Sequence, residues 1–317
     1  MKVIAVTVTF NSHDFLARCL KSLNNQSFKL EKIIVVDNNS KQECKIKNRE
    51  LIKQYENVVL YELKNNTGGA GGFEYGMKKA LEYDCDYVWI MDDDAYPRDN
   101  CLERLLSHKD YENVGCICPV IYGDILNKYQ IYHHKRITKT LLRDVPMYQS
   151  FEEFPDVFEI DSNAFVGPLF SKKAMEDIGV ADGGLFIYGD DTEYTYRLTR
   201  KYKMIVVKDA IINHRDVEAP KKQINPGAWW KDYYMYRNRF FFINEFSTSK
   251  WNRFLATVDQ KKIIYFRMIS ALIKRKFKGY RKIKIRLYKK AIKDAKLNKR
   301  GIEIDPATFK DNWLNNK

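Results

Sequence analysis

Paired cysteines are missing from this chain: Cys19, Cys44, Cys85, Cys101, Cys116 and Cys118 are scattered, with no Cys-x-x-Cys among them. That argues against a disulfide framework and for a reducing, cytoplasmic setting. Long apolar runs are missing too. The best candidate, Ile263 to Ile273, is interrupted by Arg267 and falls short of the ~20 residues a spanning helix needs. The opening lacks the basic segment and small-residue cleavage site of a signal peptide, so Val3 to Phe10 is expected to be a first strand. No internal repeat is visible.

With 317 residues the chain suits one large α/β domain plus a smaller appendage, and its core needs no covalent staples. The net charge of +14 is unevenly spread. Residues 251 to 300 hold 18 Lys and Arg against Asp259 and Asp294, leaving 37 basic and 39 acidic residues elsewhere. The body is nearly neutral and the basicity is a tail.

Apolar, β-rich runs alternate with amphipathic segments in the first half, the pattern of parallel βα units. Strands are expected at Val3 to Phe10, Lys32 to Val36, Val58 to Glu62, Tyr87 to Met91 and Val114 to Cys118. Helical spacing recurs through Phe15, Leu16, Cys19, Leu20 and Leu23, and again through Phe73, Met77, Ala80 and Leu81. The pattern predicts a Rossmann-like sheet flanked by helices, with ligands at the carboxyl ends of the strands. Periodicity loosens between Tyr122 and Phe158, where His133 and His134 sit in a basic loop or hairpin. Short helices are expected after Ser171 and Asp190, and strands at Met204 to Val207 and Ile211 to Asn213. The division expected is a catalytic domain over 1–227 and a mostly helical, basic region over 228–317.

Asp92, Asp93 and Asp94 directly follow an apolar strand. Three like charges there are costly unless a cation or solvent compensates, and Asp92 and Asp94 at i and i+2 can point together toward a divalent ion. A solvated Asp-rich turn before Pro97 is the bland alternative. A second acidic cluster, Asp190, Asp191 and Glu193, fits either a helix N-terminus or a general base for an acceptor hydroxyl. His214 ends a short strand; a lone histidine is more often structural, and it gains meaning only beside the Asp triplet. Asn66, Gly68 and Gly69 open a glycine-rich segment that suits phosphate or sugar oxygens near a helix N-terminus, or a tight surface turn. Its spacing is neither a Walker loop nor a clean dinucleotide fingerprint. Thr9 and Asn11 end the first strand and Asp37 the second, as base and ribose contacts or as Asx turns and caps.

Together these ordered motifs resemble glycosyltransferase family 2 with a GT-A fold, over Val3 to about Asn238. The resemblance implies a nucleotide base held near Thr9, Asn11 and Asp37, Mn²⁺ or Mg²⁺ on the Asp-x-Asp pair Asp92 and Asp94 with His214 completing the site, Asp93 and the glycine segment on the donor, and Asp191 as base. Asn66 to Phe73, the triple Asp and Gly189 to Tyr194 are most similar to bacterial galactofuranosyltransferases; Tyr233 to Asn238 is also similar to rhamnosyltransferases. Gly189 and Tyr194 depart from the galactofuranosyl pattern, which has tryptophans there. The implied reaction is an inverting transfer from a UDP-sugar, or dTDP-rhamnose in the alternative, to a lipid-linked glycan of the cell surface. Asp190, Glu193, Trp229 and Trp230 are acceptor candidates, although paired helical tryptophans are more often core.

Phe277, Tyr280, Leu287, Tyr288 and Ala291 approximate one helical face amid basic residues. Residues 261–300 are therefore expected either to lie on an anionic membrane, on its inner face, or to pack on the chain itself or on a second copy. A sugar nucleotidylyltransferase would show a Gly-rich basic loop where Phe10 to His13 stands. A nucleic-acid or membrane-binding module would explain the tail but not the acidic clusters, and no nucleic-acid partner is expected.

Overall fold

The computed structural model describes residues 1–216 and 225–315. Residues 217–224, at the end of the expected catalytic domain, lie outside the described residues. The chain forms two compact units: Met1–Arg136, Val145–Gly183 and Asp191–Val217 make the first, and Ile137–Asp144, Gly184–Asp190 and Glu218–Lys317 the second.

The strands are β1 (Val3–Thr9), β2 (Lys32–Asp37), β3 (Val58–Glu62), β4 (Tyr87–Asp92), β5 (Ala95–Pro97), β6 (Val114–Gly123), β7 (His134–Ile137), β8 (Asp144–Pro146), β9 (Val157–Glu159), β10 (Ser162–Asn163), β11 (Val166–Ser171) and β12 (Lys203–His214). The helices between them are α1 (His13–Asn24), α2 (Gln42–Ile52), α3 (Gly68–Leu81), α4 (Cys101–Leu106), α5 (Lys172–Ile178) and α6 (Asp190–Leu198). The main sheet of the first unit runs β3-β2-β1-β4-β11-β6-β12-β5, with β9 on β12. β1, β2, β3 and β4 pair in parallel, as do β6 and β12, whereas β11 lies antiparallel between β4 and β6. The sheet is therefore mixed. A small second sheet runs β10-β7-β8.

Every residue of β1 is buried, as a central strand covered on both faces requires. Val3 and Ala5 join a core with Leu16, Leu20 and Leu105, while Ile4, Val6 and Val8 join another with Phe73, Met77 and Met175. Alternation along the strand thus sends successive side chains to opposite layers. The turn of α3 is packed unusually close: a Cβ on Gly72 would stand 2.5 Å from Val8 Cγ1, and one on Gly76 2.4 Å from Val6 Cγ1. These glycines let the helix approach the sheet. α5 starts at Ser171, whose Oγ accepts from the Ala174 N–H at 3.1 Å, a helix N-cap.

β12 is one strand where two were expected. Its register on β6 shifts between Val207 and Ile211, so the polar residues that break the apolar pattern mark an irregularity inside a continuous strand.

The second unit contains α7 (Trp230–Phe246), α8 (Lys250–Ile273) and α9 (Arg281–Lys296). Its interior is aromatic and polar at once. Tyr233 donates to Asp294 at 2.8 Å, Lys284 pairs with Asp232, and Tyr236 meets Tyr288 edge-on at 5.3 Å. Leu287, Tyr288 and Ala291 are buried, and Phe277 and Tyr280 pack on Trp229. The face expected to meet a membrane is therefore an internal one, because α9 turns it toward α7. Among the described residues no helix is long and apolar enough to cross a membrane.

Candidate functional site

β4 ends at Asp92, and the short β5 begins only three residues later. β5 pairs with the end of β12 in a register that sets Ala95 opposite His214. That pairing carries Asp94 to the imidazole: His214 Nε2 lies 3.2 Å from Asp94 Oδ1. One ligand atom from each of Asp92, Asp94 and His214 falls within 4.8 Å of the others. Two carboxylates and an imidazole nitrogen converging at strand ends are a donor set suited to Mn²⁺ or Mg²⁺. Burial works to raise the Asp94 carboxyl, but the His214 hydrogen bond and charge outweigh it and hold the group below its usual range. Asp94 is thus kept anionic, as a ligand must be.

Asp93 points elsewhere. Its Oδ2 and the Thr9 Oγ1 are buried without a partner in hydrogen-bond geometry among the described residues. Burial pushes the Asp93 carboxyl up to about 7, with the neighbouring Thr9 hydroxyl pulling the other way. Orphaned buried polar atoms at the ends of adjacent strands are unfavourable in a bare protein and suit a polar ligand.

A feature invisible in the sequence fixes His214. The Gln130 amide nitrogen donates to the carbonyls of Arg215, at 3.1 Å, and His214, at 3.4 Å. Carbonyls only accept, so Gln130 Oε1 must face the two rings it touches: His133 Nε2 at 2.8 Å and His214 Nδ1 at 3.1 Å. Both rings then donate to it. His214 thus donates from Nδ1, and its Nε2, 3.2 Å from Asp94 Oδ1, is the ring nitrogen that would meet a cation. Burial, with the charges of His214 and His134 adding to it, holds His133 well below the usual histidine range. His134 is buried, bonded to Tyr129 Oη at 3.0 Å and to the Pro119 carbonyl at 2.9 Å.

The residues after β1 and β2 secure one another. Asp37 is fully buried; its oxygens accept from the Ser40 N–H at 2.6 Å and from Asn48 Nδ2 at 3.1 Å. The Ser40 bond, three residues on, is a local side-chain-to-backbone turn bond. Asn11, with φ of 55°, accepts from the Lys41 N–H at 2.7 Å. Asn38 was not singled out in the sequence, yet it holds the glycine segment: it accepts from the Thr67 N–H at 2.8 Å and donates to the Gly68 carbonyl at 2.7 Å. Asn66 accepts from the Gly68 N–H at 2.8 Å. Gly68 takes φ of 73°, which favours glycine. A Cβ on Gly69 would meet nothing within 4 Å, so its backbone is open to a ligand.

In the second acidic cluster the carboxylates diverge in role. Asp191 is partly exposed, and its Oδ1 accepts from the Thr192 N–H at 2.6 Å. Glu193 is buried and forms a paired contact with Arg197, at 2.7 and 3.0 Å. Arg197 also bonds the Val180 carbonyl at 2.9 Å and that of Ile178. Glu193 therefore fastens α6 to the 178–180 loop through Arg197.

In the second unit, Asp190 is buried at the end of a segment in which Phe186, Tyr188 and Gly189 all have positive φ. Arg237 and Asn238 stabilise that segment. Asn238 Nδ2 donates to the carbonyls of Leu185, Ile187 and Tyr188 at 2.9, 3.0 and 2.8 Å. Arg237, fully buried, bonds the carbonyls of Leu185 at 3.0 Å and Gly301 at 2.8 Å. Trp229 is 7% exposed and has Phe277, Tyr280 and Lys284 on its ring. Trp230 is partly exposed, with Phe186 and Tyr234 beside it.

Residues 4–179 match the family described as Glycosyl transferase family 2. The galactofuranosyltransferase GlfT1 of Mycolicibacterium smegmatis is 31% identical over 208 residues, covering 62% of this chain and 65% of that protein. The chain thus spans just under two thirds of that relative's length. The dTDP-rhamnosyl transferase RfbF of Shigella flexneri is 28% identical over 200 residues, with 62% of each chain covered. The structure of S. aureus TarS 1-349 in complex with UDP-GlcNAc superposes with a TM-score of 0.57 at 14% identity, covering 93% of this chain and 81% of that one. GalNAc-T7 with UDP, GalNAc and Mn²⁺ gives a TM-score of 0.57 at 18% identity, over 76% and 51%. These likenesses show a GT-A-like fold.

Proposed function

Because the chain belongs to glycosyl transferase family 2, which matches more than half its length, we propose that it transfers galactofuranose from UDP-galactofuranose to a lipid-linked glycan by a single inverting displacement. The observation that carries the reading is the convergence of Asp92, Asp94 and His214 at the carboxyl end of the sheet. These three residues would hold Mn²⁺ or Mg²⁺, and what the ion supplies when bound is positive charge for the departing diphosphate.

The chain's own groups divide the remaining work. Thr9 Oγ1 and Asp93 Oδ2, neighbouring buried atoms without a partner in hydrogen-bond geometry among the described residues, are assigned to the nucleoside. A neutral Asp93 carboxyl donates a hydrogen bond there and an ionised one accepts. The glycine segment is held by Asn38 and Asn66, and the Gly69 N–H at the start of α3 is the backbone donor for ligand oxygens. Asp191 takes the proton of the acceptor hydroxyl as that oxygen attacks the anomeric carbon. Asp190 and Trp230 remain the acceptor-contact candidates of this reading. The similarity to GlfT1 favours galactofuranose, and that to RfbF supports rhamnose from dTDP-rhamnose as the second reading.

Calorimetric titration of the purified protein with UDP and with dTDP, each with and without Mn²⁺, tests the proposal. Mn²⁺-dependent preference for UDP is expected. Preference for dTDP transfers the proposal to rhamnose, and binding of neither by folded protein overturns the donor assignment.

A further inference from the structure

α8 is apolar on two sides. One side is internal: Ala256, Gln260, Ile264, Met268 and Ala271 are buried. The other is bare. Trp251, Phe254, Val258, Tyr265, Phe266 and Ile269 are exposed large hydrophobics, with Trp251 at 65% and Phe266 at 60%, and Leu272 and Ile273 continue them to the helix end. At ~100° per residue these eight fall within an arc of about 120°, a continuous stripe opposite the internal face. Isolated exposed apolar residues need no explanation, but a stripe along a whole helix does.

The charge around the stripe selects its occupant. Residues 250–278 contain nine Lys and Arg and one acid, Asp259. That acid is already paired with Arg143. Lys261 and Lys262 lie among the stripe residues Val258, Tyr265, Phe266 and Ile269, so a second copy of the same helix packed across its middle would set like charges together, whereas an anionic surface would neutralise them. Since α8 is not apolar enough to span a bilayer, its place is along one. Aromatic and aliphatic side chains on one face with Lys and Arg beside them are the pattern of a helix lying at the headgroup boundary.

We propose that α8 is the membrane-docking surface of this protein, with its Trp251-to-Ile273 stripe immersed at the boundary of an anionic bilayer and its basic residues on the headgroups. The site differs from the α9 face that periodicity alone suggests. It needs no donor, metal or acceptor, so its test is separate from that of the transferase chemistry.

Flotation of the full chain with vesicles of phosphatidylglycerol and phosphatidylcholine, against phosphatidylcholine alone, reads the proposal directly. Wild-type protein is expected to float with the anionic vesicles, to float poorly with the neutral ones, and to lose binding at high salt. The Phe266→Glu/Ile269→Glu variant should lower the bound fraction at least about tenfold, since each change removes a buried apolar side chain from the lipid contact. Both positions are exposed, so circular dichroism should match wild type; if it does not, Trp251→Ser at the other end of the stripe provides the same comparison. Trp251→Phe should keep binding and lose the blue shift of tryptophan emission seen on adding vesicles. The proposal is overturned by failure of the wild type to float, by equal flotation of the glutamate variant, or by sedimentation showing a wild-type dimer that the variant converts to monomer while flotation persists.

Discussion

Replacing Gln130 with leucine should weaken Mn²⁺ binding without touching a ligand. Gln130 Oε1 is the acceptor that keeps the His214 proton on Nδ1, 3.1 Å away, and its amide nitrogen locks that choice by donating to the Arg215 carbonyl at 3.1 Å. Leucine removes both restraints, so the imidazole is free to rotate and its Nε2 is no longer held toward Asp94. Loss of such an outer partner typically lowers metal affinity by roughly 10- to 100-fold, which corresponds to about 1.4–2.7 kcal/mol. The assay is calorimetric titration of Mn²⁺ into folded protein, with His214→Ala as the reference for complete loss of that ligand. Unchanged Mn²⁺ affinity in a folded Gln130→Leu variant would refute the reasoning.

Asp92→Ala and Asp94→Ala should each abolish Mn²⁺-dependent nucleotide binding, whereas Asp191→Asn should bind donor normally and lose about 10²- to 10⁴-fold in turnover; normal turnover in that variant rules Asp191 out as the base. Gly72→Ala should melt below wild type by the equivalent of about 1–3 kcal/mol, the usual penalty of overpacking, since its Cβ would stand 2.5 Å from Val8 Cγ1. Gly69→Ala meets nothing within 4 Å and should melt at or above wild type; calorimetry on the pair checks both. Burial lowers the His134 imidazole to about 4, against ~6.5 in the unfolded chain. The unfolded state therefore binds more protons between these values, and stability falls as pH drops through that window, by up to about 3 kcal/mol at its lower end. Denaturant titrations from pH 7 to 4 should show this slope, reduced in His134→Gln.

The sheet was legible because its strands are short apolar runs with polar residues at their ends, and the carboxyl ends of β1, β2 and β4 point to Thr9, Asp37 and Asp92 without any tertiary information. β5 was not legible. Three residues ending in Pro97 carry no period, yet their pairing with β12 brings His214 to Asp94. Gln130 left no signal either, because a lone glutamine in a loop gains its role only from the carbonyls and rings around it. Asp37 and Glu193 illustrate a different limit: residue type predicted a charge at the site, but each carboxylate found partners inside the protein. The basic tail shows a third. Periodicity reveals that α9 has an apolar face, not whether a neighbour covers it, and α8 is apolar on two sides, which blurs any single period.

The β5–β12 pairing would also make the proposed metal site a timer of biosynthesis. Asp92 and Asp94 leave the ribosome long before His214, and the imidazole reaches them only when β12, the last strand of the first unit, has docked on β6 and β5. A nascent chain that stops short of β12 holds carboxylates whose third ligand has not yet been made. Capture of an ion by these three ligands would thereby be tied to closure of the most distant contacts in the sheet, the slowest kind to form, and a bound ion would then favour the finished fold by mass action. A chain competent to take up metal is one whose first unit is complete.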